Sequence, residues 1–254
     1  MKKSKIKISA VIITKNAARS LAKVLESIGN LSEEIIIVDS GSTDQTLDIA
    51  KKFGCKIIRQ EWLGYGAQKN LGINAAKNNW VLSLDADEIV SRELAKSISN
   101  ANYDNFDGFN ISFRNYFGGK WVKHSGWYPD WHLRIFRRDK MQFETTDVHE
   151  LVKPVGKIGY LEGDIIHHTY LSNRHYFQKI EGYTTLDAKY LYKKKRKWSI
   201  FYQLGKPIKE FFQIYFGRGG YLDGLLGLKI ACFSAYYRFL TAKKLRVLYR
   251  NDKI

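Results

Sequence analysis

Apolar and polar residues alternate in blocks along the first hundred residues of the chain. Four short apolar runs predict buried strands, and the segments between them show apolar residues at helical spacing. In the first of these segments, Leu21, Val24, Leu25 and Ile28 stand at i, i+3, i+4 and i+7. The predicted strands are 6–13, 34–39, 55–59 and 80–85, and the next predicted helices are 41–53 and 66–77. This alternation predicts an α/β fold in which helices cover both faces of a mostly parallel sheet.

Polar residues directly follow three of the predicted strands. The three segments are Thr14-Lys15-Asn16, Asp39-Ser40-Gly41-Ser42 and Asp85-Ala86-Asp87. Because ligands bind beyond the carboxyl ends of the strands in such sheets, we expect these segments to converge on one rim and form a site.

Asp85 and Asp87 indicate the chemistry of that site. At positions i and i+2 of a strand they point the same way, and two neighbouring carboxylates repel each other unless a cation joins them. Hard oxygen ligands with few other protein donors suit Mg²⁺ or Mn²⁺, whose shell water and substrate phosphates complete. The alternative interpretation is a strand end with solvated acids, followed by a helix N-cap.

The segment DSGSTD, residues 39–44, offers backbone N–H groups, hydroxyls and a helix N-terminus to a polar ligand. The alternative is an ordinary N-cap of the following helix by Ser42 or Thr43. The glycine spacing fits neither a dinucleotide-binding G-x-G-x-x-G motif nor a phosphate-binding P-loop.

The composition is that of a folded protein with one or two domains. The chain has 254 residues, 44% of them hydrophobic, and only three prolines. Cys55 and Cys232 form no disulfide or metal pattern, which fits a reducing compartment. The basic N-terminus is followed by too short an apolar run for a secretory signal, so we expect a first strand there.

The formal net charge of +17 is concentrated near the C-terminus, because the chain from residue 193 onward has 15 Lys and Arg but only three acids. Aromatic, aliphatic and basic residues are interleaved there at helical intervals, in 200–216 and 221–250. Asp223, Lys229 and Arg238 interrupt any long apolar run, so a membrane-spanning helix is not expected. Amphipathic helices with basic faces lie on anionic membrane surfaces. The alternative is a helical pair that packs on the body of the protein or on a homodimer partner.

Three segments of the first hundred residues are SAVIITKNAARSLAKVLESI, EIIIVDSGSTDQT and GYGAQKNLGINAAKNNWVLSLDADE. Together they resemble the nucleotide-sugar domain of family-two glycosyltransferases over about residues 6–115. Later segments resemble the lipopolysaccharide-core branch, which includes β-1,4-glucosyltransferases: GWYPDWHLRIFRR, TTDVHELV and IIHHTYLSNRHYFQKIEGYTTLDA. The resemblance implies a GT-A fold, a UDP-sugar donor with UDP-glucose favoured, a divalent metal and inversion at the anomeric carbon.

The resemblance also implies roles for residues of the predicted rim. Thr14 and Asn16 are expected to line the nucleotide pocket, and Asp39 to accept a hydrogen bond from the uracil ring, with Ser40 and Ser42 nearby.

Roles for the third strand end and the helix before it follow in the same way. Gln68, Lys69 and Asn70 are expected to face the ribose and diphosphate, although a solvated helix lysine is the alternative for Lys69. Asp85 is expected near the ribose and metal-bound water, and Asp87 on the metal itself.

Inverting transfer also needs a base that takes the proton of the acceptor hydroxyl. The family has a Glu-Asp pair at this point, whereas this chain has Asp147-Val148-His149-Glu150. Aligning His149-Glu150 with that pair makes Glu150 the base. His149 either orients it or is a structural histidine, and Asp147 is either the rival base or a helix N-cap.

Further residues of the resembling segments are assigned to the metal and the acceptor. The pattern H-x-T-Y selects His167 over His168 as an additional metal ligand, against the alternative of a strand histidine. Trp127, Tyr128 and Trp131 are expected to stack on sugar rings of the acceptor, with plain loop packing as the alternative. Arg134, with Arg137 and Arg138, is expected to meet an anionic acceptor, because a guanidinium matches phosphate and carboxylate. Solvated arginines at a strand are the alternative for these three.

The resemblance thus implies a GT-A domain over 1–190, divided near residue 115 into donor and acceptor halves. The basic aromatic pattern predicts a helical membrane-association or packing region over 191–254. The expected partners are a UDP-sugar, a lipid-linked glycan and an anionic membrane surface, here the cytoplasmic face of the inner membrane. Two other function classes remain: a non-catalytic membrane scaffold, and a basic nucleic-acid-binding protein. The acids at 85–88 and the lack of any nucleic-acid-binding motif argue against nucleic acid as a partner.

Overall fold

The computed structural model describes residues 7–144 and 151–251. The first hundred residues alternate between strand and helix as predicted, and the strands 34–39 and 80–85 have the predicted bounds. The strands of the described residues are β1 (Ile8–Thr14), β2 (Glu34–Asp39), β3 (Lys56–Arg59), β4 (Trp80–Asp85), β5 (Glu88–Val90), β6 (Gly108–Phe117), β7 (Lys120–Trp121), β8 (Trp131–Arg137) and β9 (Ile158–Tyr170).

Helix α1 is amphipathic and buries the four apolar residues that predicted it. The α-helices of the described residues are α1 (Leu21–Ile28), α2 (Thr46–Lys52), α3 (Tyr65–Asn74), α4 (Arg92–Asn100), α5 (Asn173–Lys193), α6 (Ile200–Phe212) and α7 (Leu225–Asn251). A π-helical turn (Gln213–Gly217) and a 3₁₀ turn (Gly220–Asp223) connect the last two helices. No helix in the described part of the chain has the length and apolarity needed to cross a bilayer.

The sheet has the strand order β3-β2-β1-β4-β8-β6-β9-β5, with β7 paired to β6. The four strands β3, β2, β1 and β4 run parallel, which confirms the predicted parallel sheet. Strand β8 joins β4 in antiparallel orientation and pairs in the same way with β6, so the complete sheet is mixed.

The described residues divide into two compact units. The first lies within 1–113 and 130–167, and the second within 114–129 and 168–254. The predicted boundary at residue 190 falls inside α5, which belongs to the second unit.

The core of the first unit lies on both faces of the parallel strands. In β1, Ile8, Ala10 and Ile12 pack with α1, while Val11 and Ile13 pack on the opposite side with Ile73 of α3, Phe136 and Phe143. A strand buried on both faces explains why β1 is a continuous apolar run.

The core of the second unit is formed by α5, α7 and the segments around them. Tyr176 and Ile180 of α5 pack with Ile230 and Ala231 of α7. Lys244 of α7 also donates hydrogen bonds to α5, at 2.6 Å to the Glu181 carboxylate. The helices near the C-terminus are therefore a structural part of this unit.

Candidate active site

The strand register places the three predicted polar segments along one edge of the parallel sheet. Thr14 is the register partner of Asp39 across β1 and β2, and Ile13 is the partner of Asp85 across β1 and β4. Thr14, Asp39 and Asp85 therefore end three adjacent strands on the same edge, where the sequence predicted a site.

Asp39 is buried and organises the loop that follows β2. One carboxylate oxygen accepts hydrogen bonds from the backbone N–H groups of Gly41 and Ser42, at 3.0 and 2.9 Å. The other accepts from the hydroxyls of Thr14 and Ser42. Four donors on one carboxylate hold both the loop and the end of β1 in place.

Asn16 ties the end of β1 to the same loop. Its backbone has a positive φ of 52°, a conformation that asparagine tolerates better than most residues. The Asn16 N–H donates to Ser42 Oγ at 2.9 Å, and its side-chain oxygen accepts from the N–H of Thr43 at 2.8 Å. Ser42 and Thr43 do not cap α2, which begins at Thr46, so the N-cap alternative for this segment is wrong.

Gln68 and Asn70 of α3 bind backbone groups of the protein. The Gln68 amide donates to the carbonyl of Gln60 at 3.1 Å and accepts from the N–H of Leu63 at 3.3 Å. The Asn70 amide donates to the carbonyl of Phe143 at 2.8 Å and accepts from its N–H at 2.9 Å. Gln68 thus holds the loop before α3, near Ser40, and Asn70 holds the chain just before residues 145–150.

Lys69 is fully buried, which excludes the alternative of a solvated helix lysine. Its ammonium lies 3.0 Å from Asp85 Oδ1 and 5.1 Å from the centre of the Phe143 ring. Burial alone would raise the pKa of Asp85, but the charges of Lys69 and Arg134 outweigh it and lower that pKa to about 2. The two neighbouring cations therefore favour the ionised form of Asp85.

Arg134 lies beside the acids of β4 and β5. Its guanidinium donates to Glu88 Oε1 at 2.6 Å and is 3.9 Å from Asp85 Oδ2. Glu88 in turn accepts from the backbone N–H of Asp85 at 2.9 Å through its other oxygen. Burial raises the pKa of Glu88, and the adjacent guanidinium opposes that rise. Two ion pairs, Lys69–Asp85 and Arg134–Glu88, thus fix the end of β4.

Asp87 is more exposed than Asp85 and faces a histidine. Its side chain is 42% exposed, and its Oδ2 atom lies 3.7 Å from His167 Nε2. His167 is the register partner of Glu88 across β5 and β9, whereas His168 belongs to the second unit and packs against Tyr116. The helix after these acids is capped by the hydroxyl of Ser91, so neither aspartate acts as the N-cap.

The donor set around Asp87 fits a hard divalent cation only in part. Within residues 7–144 and 151–251 no group of three or more His, Cys, Asp and Glu side chains could hold a metal ion. The carboxylate of Asp87 and the imidazole of His167 are two suitable ligands, and a cation that keeps water and takes phosphate oxygens needs few from the protein.

The remaining predicted residues make other contacts in the first unit, belong to the second unit, or fall outside the described residues. Trp131 is exposed in the first unit and meets Tyr160 edge to face, with ring centres 5.0 Å apart. Trp127 and Tyr128 belong to the second unit. The candidate bases Glu150 and Asp147, together with His149, lie outside the described residues.

Glu88 and Phe143 hold side chains of the site in place, but the sequence alone did not indicate a role for either. Glu88 was visible as the third acid after β4, but its pairing with Arg134 joins positions 46 residues apart. Phe143, which contacts Lys69 and is held by Asn70, had no local signal because its contacts come from tertiary structure alone.

Comparisons with known proteins agree with this geometry. Residues 9–155 match the family described as glycosyl transferase family 2. An uncharacterised glycosyltransferase of Rickettsia typhi is 32% identical over 95% of this chain and 87% of its own length. The lipopolysaccharide core biosynthesis glycosyltransferase LpsC of Rhizobium meliloti is 29% identical over 95% of this chain and 92% of its own.

A solved structure shows the same fold. Residues 1–349 of TarS from Staphylococcus aureus match with a TM-score of 0.51 at 15% identity, over 97% of this chain and 92% of that one. The predicted GT-A fold with a C-terminal helical extension is thereby confirmed. On the family match and the coverage of its relatives, this chain belongs to glycosyl transferase family 2 and is a glycosyltransferase.

Proposed function

We propose that this glycosyltransferase moves a hexose from a UDP-sugar, with UDP-glucose favoured, to a lipopolysaccharide inner-core or other lipid-linked glycan. The observation that carries the proposal is the edge formed by Thr14, Asp39, Asp85 and Asp87 in a family-two chain. Similarity to LpsC along nearly the whole chain supports the acceptor class.

The donor would lie along the carboxyl ends of β1, β2 and β4. Asp39 would take the ring N–H of uracil in place of the Ser42 hydroxyl, because that hydroxyl can rotate whereas the two backbone donors cannot. Asp85, kept ionised by Lys69 and Arg134, would orient the ribose. Transfer would invert the anomeric carbon, since the acceptor hydroxyl displaces UDP in one step.

Asp87 and His167 would hold a divalent metal, Mg²⁺ or Mn²⁺, with Asp85 beside it. When bound, the ion supplies positive charge to the diphosphate leaving group. A carboxylate at Glu150, with Asp147 as the rival, would take the proton of the acceptor hydroxyl. Trp131, Trp127 and Tyr128 would stack on acceptor sugars.

A lipid-linked acceptor requires a protein that works at a membrane surface. The chain would act peripherally at the cytoplasmic face of the inner membrane, attracted by the basic segment 193–197. A homodimer contact through the same region is the competing use of these helices.

The proposal is tested by a screen of UDP-glucose, UDP-galactose, UDP-N-acetylglucosamine and other nucleotide-sugars. Each donor is combined with truncated core lipopolysaccharides, with Mn²⁺, with Mg²⁺ and with EDTA, and products are identified by mass spectrometry. A hexose mass added from a UDP donor in the presence of metal is expected. Transfer only from donors other than UDP-sugars, or only to soluble acceptors without lipid, would overturn the proposal.

A further inference from the structure

Helix α6 presents an apolar stripe to solvent. Five large apolar residues recur every three or four positions along α6 and the π-helical turn after it. Phe201 is 85% exposed, and the other four are between 51% and 59% exposed. These residues, named here the α6 stripe, are Phe201, Leu204, Ile208, Phe212 and Phe216.

The opposite side of α6 is the buried one, and it is partly polar. Gln203 is buried and accepts a hydrogen bond from the Trp198 indole at 3.1 Å, and Glu210 pairs with Arg238 at 3.2 Å. Ile214 is the buried apolar residue of the following turn. Phe211, Ile214 and Tyr215 also pack against the core of the second unit. Helix α6 and the turn after it therefore have apolar residues on two sides, and the α6 stripe is the side that faces solvent.

Exposed apolar residues continue beyond the stripe. Tyr221 and Leu222 in the 3₁₀ turn are both more than half exposed, and Leu225 at the start of α7 is 85% exposed. A monomeric soluble protein rarely exposes this many large apolar side chains within one short stretch of chain, so such a surface indicates a partner.

The exposed charges of this region are positive. Between residues 193 and 251 the sequence has two acids, Glu210 and Asp223. Glu210 is paired with Arg238, and Asp223 accepts from the N–H groups of Lys123 and His124 at 3.2 and 3.0 Å. Exposed Lys and Arg therefore accompany the stripe without exposed acids between them: Lys193, Lys194, Lys195, Arg196, Lys197, Lys209 and Arg218.

We propose that the α6 stripe inserts into the surface of an anionic lipid bilayer, with the neighbouring lysines and arginines on the headgroups. Apolar side chains on one side of a helix with basic residues around them have the composition of an interfacial helix. An apolar stripe surrounded by positive charges is complementary to a surface that has negative groups above an apolar interior. An anionic bilayer has such a surface, and most soluble proteins do not. This inference rests on the proposed action at a membrane and assigns the residues that make the contact.

The inference is tested by sedimentation of the intact chain with vesicles that contain anionic phospholipid, at low salt and at about 0.5 M salt. High salt screens the basic residues and leaves apolar insertion. The stripe variant combines Phe201→Ser, Ile208→Ser and Phe212→Ser. The matched control combines Phe53→Ser and Val247→Ser, two exposed apolar residues outside the stripe.

The intact chain and the control are expected to bind, and to retain part of that binding at high salt. The affinity of the stripe variant for the vesicles is expected to fall on the order of tenfold or more at low salt, and its binding at high salt should not be measurable. The reason is that each buried methylene contributes to insertion. Circular dichroism and donor hydrolysis are measured on all three proteins and should be unchanged.

Equal binding of the stripe variant and the intact chain would overturn the inference. So would a dimer of the intact chain that the stripe variant converts to monomer without any change in vesicle binding. If transfer from UDP-sugars to truncated core lipopolysaccharide persists in either case, only the membrane contact is wrong and the proposed reaction stands. If vesicle binding is lost in the stripe variant but the intact chain transfers no sugar, the membrane contact stands and the proposed reaction is wrong.

Discussion

Asp85 and Asp87 are two residues apart, yet their surroundings give them different tasks. Asp85 is held by Lys69 and by the Glu88–Arg134 pair, so its position and its charge are fixed. Asp87 has the more exposed carboxylate and lies beside the imidazole of His167. The first is suited to orienting a ligand, and the second to binding a cation that arrives with the substrate.

Asp87→Ala is expected to abolish transfer and leave the melting temperature unchanged. The diphosphate would lose its counter-charge, while an exposed side chain contributes little to the core. Turnover with a UDP-sugar and thermal unfolding are the measurements, and Asp48→Ala, which removes an exposed aspartate from α2, is the control. Full activity of Asp87→Ala, or of the intact protein in excess EDTA, would rule out the metal role.

Glu150→Gln is expected to lower turnover on the order of 10²–10⁴-fold, because an amide cannot accept the proton of the acceptor hydroxyl. Affinity for UDP should barely change. Asp147→Asn is the matched comparison and is expected to remain active. The opposite pattern, with Asp147→Asn inactive and Glu150→Gln active, would assign the base to Asp147.

At a pH above the pKa of Glu88, where its carboxylate is ionised, Arg134→Met is expected to lower the free energy of unfolding by about 3–5 kcal/mol, since it leaves that buried carboxylate without its partner. Burial already raises the pKa of Glu88, and loss of the guanidinium raises it further. Because a raised pKa in the folded state favours folding at low pH, the loss should shrink as the pH falls below that pKa.

Urea unfolding at acidic and at alkaline pH measures this effect. The double variant Arg134→Met with Glu88→Gln should recover part of the stability, because no buried charge is then unpaired. A loss that is equal at both pH values and unaffected by Glu88→Gln would mean that Arg134 contributes through packing alone.

Helix α3 packs very closely on the sheet, and this close packing sets the position of its side chains at the site. A Cβ on Gly72 would lie 2.4 Å from Val11 Cγ1 and 2.9 Å from Val38 Cγ2. Only a residue without a side chain allows α3 to lie this close to β1 and β2, and this position places Lys69 beside Asp85.

Gly72→Ala is therefore expected to reduce the free energy of unfolding by about 1–3 kcal/mol, the usual cost of overpacking a core. Gly182→Ala is the matched control, because it is also in a helix but its Cβ would meet nothing within 4 Å. That substitution should stabilise by up to about 1 kcal/mol through helix propensity. The free energy of unfolding of both variants is measured by chemical denaturation. Similar changes in the two variants would contradict the close packing of α3 on the sheet.

The elements of the first hundred residues could be predicted because each carries its own periodicity. Leu21, Val24, Leu25 and Ile28 specify α1 by spacing, and EIIIVD specifies β2 by continuous apolarity. Helix α2 begins at Thr46, five residues after the predicted start, because hydrogen bonds of Asp39 and Asn16 hold the intervening loop. Local side-chain bonds of this kind compete with the helix and have no periodic signature.

The candidate site was predictable to the extent that it lies at strand ends. Thr14, Asp39 and Asp85 follow from the rule for parallel sheets, and register confirms that their strands end together. The pairing of Arg134 with Glu88 was not predictable, because it depends on β8 entering the sheet next to β4 in antiparallel orientation. No local pattern in 126–138 encodes that neighbour.

At the scale of the whole molecule, the basic C-terminal region is also part of a core. Tyr176 of α5 stacks on Phe233 of α7 at 4.6 Å, and its hydroxyl donates to the Phe233 carbonyl at 2.7 Å. Removal of the helices after α5 would uncover these apolar residues. The region thus combines a packed side with the exposed α6 stripe.

Deletion of residues 194–254 is therefore expected to give a protein that aggregates, because the apolar side of α5 loses its cover. Size-exclusion chromatography and thermal unfolding of the truncated chain measure this outcome. The stripe variant is the control, since it should stay monodisperse. A truncated chain that remains monomeric and folded would show that α5 does not need α7.

The hydrogen bonds around Phe143 have a consequence for how the enzyme family could diversify. Asn70 grips the backbone of Phe143, and the N–H of Glu144 donates to the carbonyl of Leu151 at 2.8 Å. Residues 144 and 151 are therefore joined by one backbone hydrogen bond, and Asn70 of α3 anchors the residue before them. In evolutionary terms Asn70 is a coupled position: its replacement would release the Phe143 backbone, so a lineage could change it only together with a compensating substitution near Phe143.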